Sequence, residues 1–324
     1  MDQSNPFVSV IIPAFGAAPW LGEALASLQA QSLANWEALV VDDGDRRVAQ
    51  VLRAFGADTR FRLVESDHKG ASAARNRGIA LARAPLVSML DGDDRYRPDY
   101  LERMTAAIHA DPRLGFVTCD ALLFGAPQFD GKLFSAVEPQ AGEISLERVL
   151  RREFKIFGSS IVRREVMTAV GGYDEELASA EDMDLWIRIL AAGWRAARVD
   201  RPLVEYRRRA GSLSADSLSL GRAGVSMYQK AVRLLEGRPE QQAATQMLAR
   251  AEQKLRGEEG FAAVVQGRTR EGVALLRASD LPRRSLKWRL ALTAFALFPP
   301  LAKPVLRFYT QRHPFYRDQP AGRS

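Results

Sequence analysis

Two acidic clusters stand out for the chemistry their spacing allows. The apolar run Leu86-Val87-Ser88-Met89-Leu90 leads directly into Asp91-Gly92-Asp93-Asp94. Three carboxylates within four residues repel one another, so a folded chain gains little from them unless a cation or a polyhydroxylated ligand sits among them. Asp91 and Asp93 form the pair for a hard divalent ion, Mn2+ or Mg2+, which takes one or two protein carboxylates and completes its shell with phosphate and water. Without such a ligand the same residues are a solvated acidic turn ahead of the helix that Pro98 opens. The second cluster, Glu181-Asp182-Met183-Asp184, begins a segment whose Leu185, Trp186, Ile189 and Leu190 follow helical spacing. Carboxylates in a first helical turn meet free N–H groups and the positive end of the helix dipole, which favours the ionised form. An ionised Asp accepts protons, so one cluster suits a metal and the other a general base.

Weaker signals surround these two. Asp42-Asp43-Gly44 alone reads as an ordinary turn; its interest lies in a second acidic strand end on the same sheet edge, where crossover topology builds a ligand crevice. His68-Lys69-Gly70 and Ala73-Ala74-Arg75-Asn76 bring cationic and amide groups nearby, with Arg75 read either as a base or phosphate ligand or as a solvated helix face. Phe15 is either a stacking platform for a base or a core aromatic.

These residues need a scaffold. Val8–Ile12, Trp36–Val41, Phe61–Glu65 and Leu86–Leu90 read as strands, and helices are expected over 20–30, from about 46 to Phe55, and over 71–82. Such alternation implies an α/β fold with a mostly parallel sheet and flanking helices, the strand-end loops 13–19, 42–45 and 91–94 lying on one edge. Beyond about Cys119 the pattern is mixed: a strand over 158–162, a helix over 164–170, a Gly171-Gly172 turn, and two short strands, Arg195–Val199 and Leu203–Tyr206. From Asp216 to about Ala278 the chain is helical, with breaks expected near Gly237-Arg238-Pro239 and Gly257.

Composition narrows the function. The 324 residues are 47% apolar and 26% charged, ordinary for a globular chain. A formal charge of +7 is uneven: residues 281–324 hold nine Lys/Arg against one Asp, leaving the first 280 residues at −1. The basic charge therefore sits in a tail, which argues against a nucleic-acid partner. That tail flanks an apolar run, Leu290–Leu301, shorter than the roughly 20 residues of a spanning helix and interrupted by Pro299-Pro300. One reading lays it on an anionic membrane surface, with Lys287, Arg289, Lys303 and Arg307 at the headgroups and Trp288, Phe295 and Phe298 in the acyl boundary. The other packs it as a hairpin on the body of the protein. One cysteine, Cys119, and three scattered histidines disfavour disulfides and His/Cys zinc sites. The polar start Met1–Pro6 has no secretory pattern, so a cytoplasmic location is expected, peripheral on the inner face of the membrane under the first reading of the tail. G-x-G-x-x-G, the P-loop, G-x-S-x-G and H-E-x-x-H are all absent. What remains fits a nucleoside-diphosphate ligand held by carboxylates and a divalent ion.

Seven motifs then fall into one register: Val8–Phe15, Val40-Val41-Asp42-Asp43-Gly44, Ala73–Gly78, Asp91–Asp94, Gly171-Gly172-Tyr173-Asp174, Glu181–Trp186 and Tyr206-Arg207-Arg208. In order and spacing, over about residues 7–214, they resemble the family 2 inverting glycosyltransferases of GT-A fold. The resemblance implies a donor site at Pro13, Phe15, Asp42, Asp43, Arg75 and Asp91, with Asp42 or Asp43 and Arg75 at the nucleobase and Asp91 at the ribose. It implies a metal at Asp93 with Asp91, and Asp182 as the base that deprotonates the acceptor. Gly172, Tyr173, Asp174 and Glu181 would line the acceptor side. Two departures stand out. Phe15-Gly16 replaces the usual Tyr-Asn, and Arg209 replaces a His found near the pyrophosphate in many members, which makes Arg209 a candidate phosphate ligand. The expected organisation is a Rossmann-like GT-A domain over 1–215 (donor half 1–120, acceptor half 121–215), a helical extension over 216–280 and a basic amphipathic tail over 281–324. The expected activity is transfer from a nucleotide-sugar, UDP-linked, to a glycan or lipid-linked acceptor in cell-surface polysaccharide synthesis. The alternatives are a sugar-nucleotide nucleotidyltransferase, disfavoured because Pro13–Ala18 holds no Lys or Arg, and a catalytically silent membrane-tethered scaffold.

Overall fold

Five buried residues in a row make Val8–Pro13 an interior strand, β1, rather than an edge. The computed structural model describes residues 5–67, 69–209 and 217–306; His68, Arg307 and the remainder of the tail lie outside them. Strand and helix alternate as the periodicity predicts: α1 (Ala18–Gln29), β2 (Trp36–Asp42), α2 (Arg47–Arg53), β3 (Phe61–Glu65), α3 (Ala71–Leu81) and β4 (Leu86–Met89). There follow β5 (Arg95–Tyr96), α4 (Tyr100–His109), β6 (Leu114–Phe124), the short α5 (Phe134–Val137) and α6 (Leu146–Leu150), β7 (Ile161–Arg163), α7 (Arg164–Ala169), α8 (Glu181–Ala191) and β8 (Arg195–Arg207).

These strands form one eight-stranded sheet in the order β3-β2-β1-β4-β7-β6-β8-β5. β3, β2, β1 and β4 are mutually parallel, so the loops after β1, β2 and β4 share one edge of the sheet. β7 joins β4 to β6 with antiparallel pairing on both sides, and this is how the mixed half covers the open edge of the parallel half. The two short strands expected at 195–199 and 203–206 are one strand, β8, paired parallel to β6 along its length. Between Cys119↔Val199 and Asp120↔Pro202 the register slips, and the proline that lacks an N–H is absorbed in a bulge instead of ending the strand.

Two glycines let the site elements approach. A Cβ on Gly78 would lie 2.4 Å from Ile11 Cγ2, so only glycine allows α3 to sit this close to β1, with Arg75 one turn earlier. A Cβ on Gly92 would lie 2.7 Å from the Ala17 Cβ, which seats the Asp91–Asp94 loop on the start of α1. Beneath that loop Ser88 Oγ lies 2.8 Å from Tyr96 Oη and 3.0 Å from Tyr100 Oη. Tyr96 Oη donates to Met89 O at 2.7 Å and Tyr100 Oη to Ser159 O at 3.1 Å. This buried polar cluster ties the strand that carries the first acidic cluster to the 158–160 segment.

The chain divides into two units, Met1–Arg209 and Ala210–Ser324. In the second, α9 (Ser217–Leu234) and α10 (Gln241–Val265) are separated at Gly237-Arg238-Pro239 as expected. α10 does not break at Gly257. Gly260 serves packing: α11 (Thr269–Ala278) crosses so closely that a Cβ on Gly260 would be 3.0 Å from Gly272 O, and one on Gly272 would be 2.6 Å from Gly260 O. α12 (Leu281–Arg284), α13 (Leu286–Leu297) and a 3-10 turn (Pro299–Leu301) follow. Among the described residues no helix is long and apolar enough to cross a membrane.

Candidate active site

Arg75 is the hub of the site. It projects from α3, is 8% exposed, and donates through Nη1 to Glu181 Oε1 at 2.8 Å and through Nη2 to Asp91 Oδ1 at 3.0 Å. One guanidinium thus spans the two acidic clusters that the sequence separates by ninety residues. Asp182 lies in the same electrostatic neighbourhood, within the field of Arg75, Glu181 and Asp91. Opposite it, Gly158 approaches so closely that a Cβ there would be 2.9 Å from Asp182 Oδ2. Ser159, the next residue, is the one held by Tyr100, so the same segment links Asp182 to the buried polar cluster on the strand ahead of Asp91.

The neighbour of Arg75 clamps another motif. Asn76 Oδ1 accepts from Tyr173 N at 2.8 Å, while its Nδ2 donates to Tyr173 O and to Glu175 Oε1, each at 2.8 Å. Gly172 adopts φ +69°, and a Cβ there would fall 2.5 Å from Asn76 Oδ1, so the clamp requires glycine. Tyr173 is thereby buried under the site, its ring 5.2 Å from the Arg75 guanidinium, and forms a wall rather than an open contact surface. Asp174 accepts from Glu176 N at 3.0 Å within the same turn.

Two carboxylates of the first cluster face arginines and the third is buried. Asp91 pairs with Arg75; Asp93 Oδ2 accepts from Arg209 Nε at 2.9 Å. Asp94 is buried and accepts from Arg207 N at 2.8 Å, and Arg207 Nε donates to Asp93 O at 2.8 Å. The end of β8 is thus zipped onto the carboxylate loop, and Trp20 lies 4.5 Å from the Arg209 guanidinium. Burial, with Asp91 and Asp93 alongside, pushes the Asp94 carboxyl well above the usual range.

In the second cluster Asp184 is structural: it accepts from Arg188 Nε at 2.7 Å, and Arg188 reaches on to Val170 O at 2.6 Å. Asp182 behaves otherwise than its place in a first helical turn implies. Burial and the adjacent Glu181 outweigh Arg75 and the helix dipole, and its carboxyl is pushed up to about 7.

The remaining donor-side residues share the edge but not one role. Asp42 accepts from Gly44 N at 3.0 Å and Asp45 N at 2.7 Å, an Asx turn. Asp43 is buried and accepts from Gly70 N at 2.9 Å and Lys69 N at 3.2 Å, which fixes the entry to α3. Pro13 ends β1, and Phe15 is 58% exposed, so the core reading of Phe15 fails. Sequence reasoning named Asn76 and Asp94 only within their motifs and missed Gly158 and the Ser88–Tyr96–Tyr100 cluster as site-builders; a polar residue inside an apolar strand, Ser88, was the available signal.

No group of three or more His, Cys, Asp or Glu able to hold a metal occurs among the described residues. Asp91 and Asp93 fit a hard cation as the one or two carboxylates it needs when diphosphate oxygens supply the rest, being oxygen donors with part of their side chain exposed, 47% and 21%; each is paired with an arginine that the ion would share or displace.

Comparison with known proteins agrees with this architecture. The family model described as Glycosyl transferase family 2 matches residues 9–129, and the one described as Glycosyl transferase family group 2 matches 86–218. An O-antigen biosynthesis protein of Myxococcus xanthus, RfbC, is 29% identical over 232 residues, 67% of this chain and 17% of that protein. The chain spans 24% and 17% of the first two curated relatives it matches. Among solved structures, S. aureus TarS residues 1–349 in complex with UDP-GlcNAc matches with TM-score 0.65 at 19% identity, over 83% of this chain and 79% of that one. The mannosyltransferase PcManGT of Pyrobaculum calidifontis in complex with GDP-Man and Mn2+ matches with TM-score 0.60 at 20% identity, over 92% and 89%. With the sheet order, the two family models and these neighbours in agreement, the chain belongs to the family 2 glycosyltransferases and carries their GT-A fold.

Proposed function

We propose that the chain transfers one sugar, with inversion, from a nucleoside-diphosphate donor, UDP-linked, to a hydroxyl of a glycan or lipid-linked acceptor in the assembly of a cell-surface polysaccharide. The observation that carries this reading is the Arg75 bridge from Asp91 to Glu181, which brings a donor-side carboxylate loop and Asp182 to one guanidinium. The similarity to an O-antigen biosynthesis protein and to structures holding UDP-GlcNAc and GDP-Man supports the donor and pathway class.

In this scheme the acceptor oxygen attacks the anomeric carbon as Asp182 takes its proton, and the bond from that carbon to the phosphate oxygen breaks, its electron pair leaving with the nucleoside diphosphate. A carboxyl poised at about 7 suits the step, because a base titrating near the working pH combines availability with proton affinity. Phe15 offers an exposed ring to the base, and Arg75 holds Asp91 toward the ribose. Asp93 and Asp91 would hold a Mn2+ or Mg2+ ion, which offsets the charge gathering on the departing diphosphate. Arg209 already faces Asp93 and is the protein's own cation for the same phosphates.

The test is a panel of UDP-, GDP- and dTDP-sugars scored by thermal shift with and without manganese, followed by NMR of the transferred linkage. We expect one nucleotide class to raise the melting temperature, the product to have inverted configuration, and Arg209→Ala to deepen the manganese requirement. Retained configuration would remove the single displacement; no response to any donor would remove the activity.

A further inference from the structure

α13 carries two apolar stripes, and the structure uses only one. Leu292 and Phe295, with Trp288 beside them, pack against Phe261, Val264, Val273 and Leu276 of α10 and α11, and Phe261 and Trp288 meet edge to face at 5.8 Å. The hairpin reading of the tail is therefore right for this face, and Trp288 and Phe295 are not the membrane-facing aromatics the sequence alone nominated. The other face is open: Leu286 is 66% exposed, Leu290 65% and Leu297 72%. At about 100° per residue these three leucines fall within about 40° of one another, nearly opposite the docked stripe, with Lys287 and Arg289 each about 80° to one side. The split continues past the helix, where Ala302 and Leu306 join the packed cluster while Phe298, Leu301 and Val305 remain exposed. Six large apolar side chains exposed within twenty residues are a local concentration, unlike the single exposed apolar residues that any surface carries.

We propose that this outer face of α13 and the turn after it lies on an anionic lipid surface. The charge pattern chooses the occupant. Between Asp280 and Asp318 there is no acidic residue, and residues 281–324 carry nine Lys/Arg. A second copy of the chain, or the chain's own basic residues 307–324, would bring like charges together over this face, whereas anionic headgroups meet Lys287 and Arg289 on both flanks of the leucine stripe. The structure divides the tail residues between two faces of one helix, one packed on α10 and α11 and the other open. This inference is independent of sugar transfer, because its measurement involves neither donor nor acceptor.

The test is flotation of the full-length chain with vesicles of phosphatidylcholine containing phosphatidylglycerol, against vesicles of phosphatidylcholine alone. We expect partitioning onto the anionic vesicles that weakens as salt rises, and at least a tenfold loss in Leu290→Glu/Leu297→Glu, whose melting temperature stays at the wild-type value because both positions are exposed. A separate variant, Leu290→Trp, should shift its added emission to the blue on anionic vesicles. The proposal is overturned if wild type does not float, if the double variant floats as well as wild type, or if the variant instead abolishes a concentration-dependent dimer that forms without lipid.

Discussion

The two acidic clusters look alike in sequence, D-x-D-D at 91–94 and E-D-x-D at 181–184, and differ in how their charge is met. In the first, Asp91 shares Arg75 with Glu181 and Asp93 has Arg209, while buried Asp94 has the Arg207 amide and is pushed well above the usual range. In the second, Asp184 has Arg188 and Glu181 shares Arg75, while half-buried Asp182 sits beside Glu181, Arg75 only partly offsets the effect, and its carboxyl is pushed up to about 7. The lesson is that a run of acids is not one kind of site. A carboxylate facing an arginine has its charge met, while one crowded by burial and a like charge holds its proton more tightly.

The largest expected effect breaks the second cluster. Asp182→Asn should lower transfer by about 10²–10⁴-fold, the usual contribution of a positioned base, while leaving donor-induced thermal stabilisation in place. The same variant tests the charge argument through stability. Because the folded-state proton affinity of Asp182 is raised above that of the unfolded chain, its stabilising contribution is present in acid and is lost as pH rises through about 7. Removing the charge should therefore stabilise the protein at pH 8, by about 1–3 kcal/mol, and the gain should fade toward pH 4. Denaturant melts of both proteins at the two pH values would check this; a gain independent of pH would mean that Asp182 is not the titrating group. Wild-type turnover should likewise rise through neutrality as Asp182 loses its proton.

Removing the shared cation couples the clusters in a second way. Arg75→Met leaves Asp91 and Glu181 facing each other without their bridge, with an expected cost of about 3–5 kcal/mol. It should also move the rising limb of the pH–rate profile upward, since Arg75 is what holds the Asp182 carboxyl down against burial. A profile that stays put would separate Asp182 from the bridge. The smallest effect is expected at Asp94, where burial already favours the protonated carboxyl: Asp94→Asn keeps an oxygen for the Arg207 amide and should cost less than about 1 kcal/mol. Urea melts would measure it, and a loss several times larger would show that the ionised form is needed.

Much of the catalytic unit was legible in order. The βα alternation from Val8 to Met89 follows from two clean periodicities, and the third strand is Phe61–Glu65 as predicted. The failures have local causes. Two short strands were expected at 195–199 and 203–206, yet a neighbouring strand as long as β6 carries a bulge past Pro202 and joins them. Gly257 looked like a break in α10, but the helix runs through it, because a single interior glycine costs a long helix only about 1 kcal/mol. Asp42 and Asp43 were named together for the base, but their hydrogen bonds differ: one closes its own turn and the other fixes Lys69 and Gly70.

By itself the sequence determined which residues bear chemistry and on which strand end or helix turn each would sit, because side-chain type and backbone period are local properties. Which carboxylate is neutralised and which is left to hold a proton was decided only by the tertiary structure. Desolvation and charge pairing depend on groups distant in the chain: Arg75 reaches Glu181 across 106 positions, Gly158 presses on Asp182, and Arg209 crosses 116 positions to Asp93. The same division holds for α13, whose composition announced an apolar helix but whose packing alone chose the face that was left exposed.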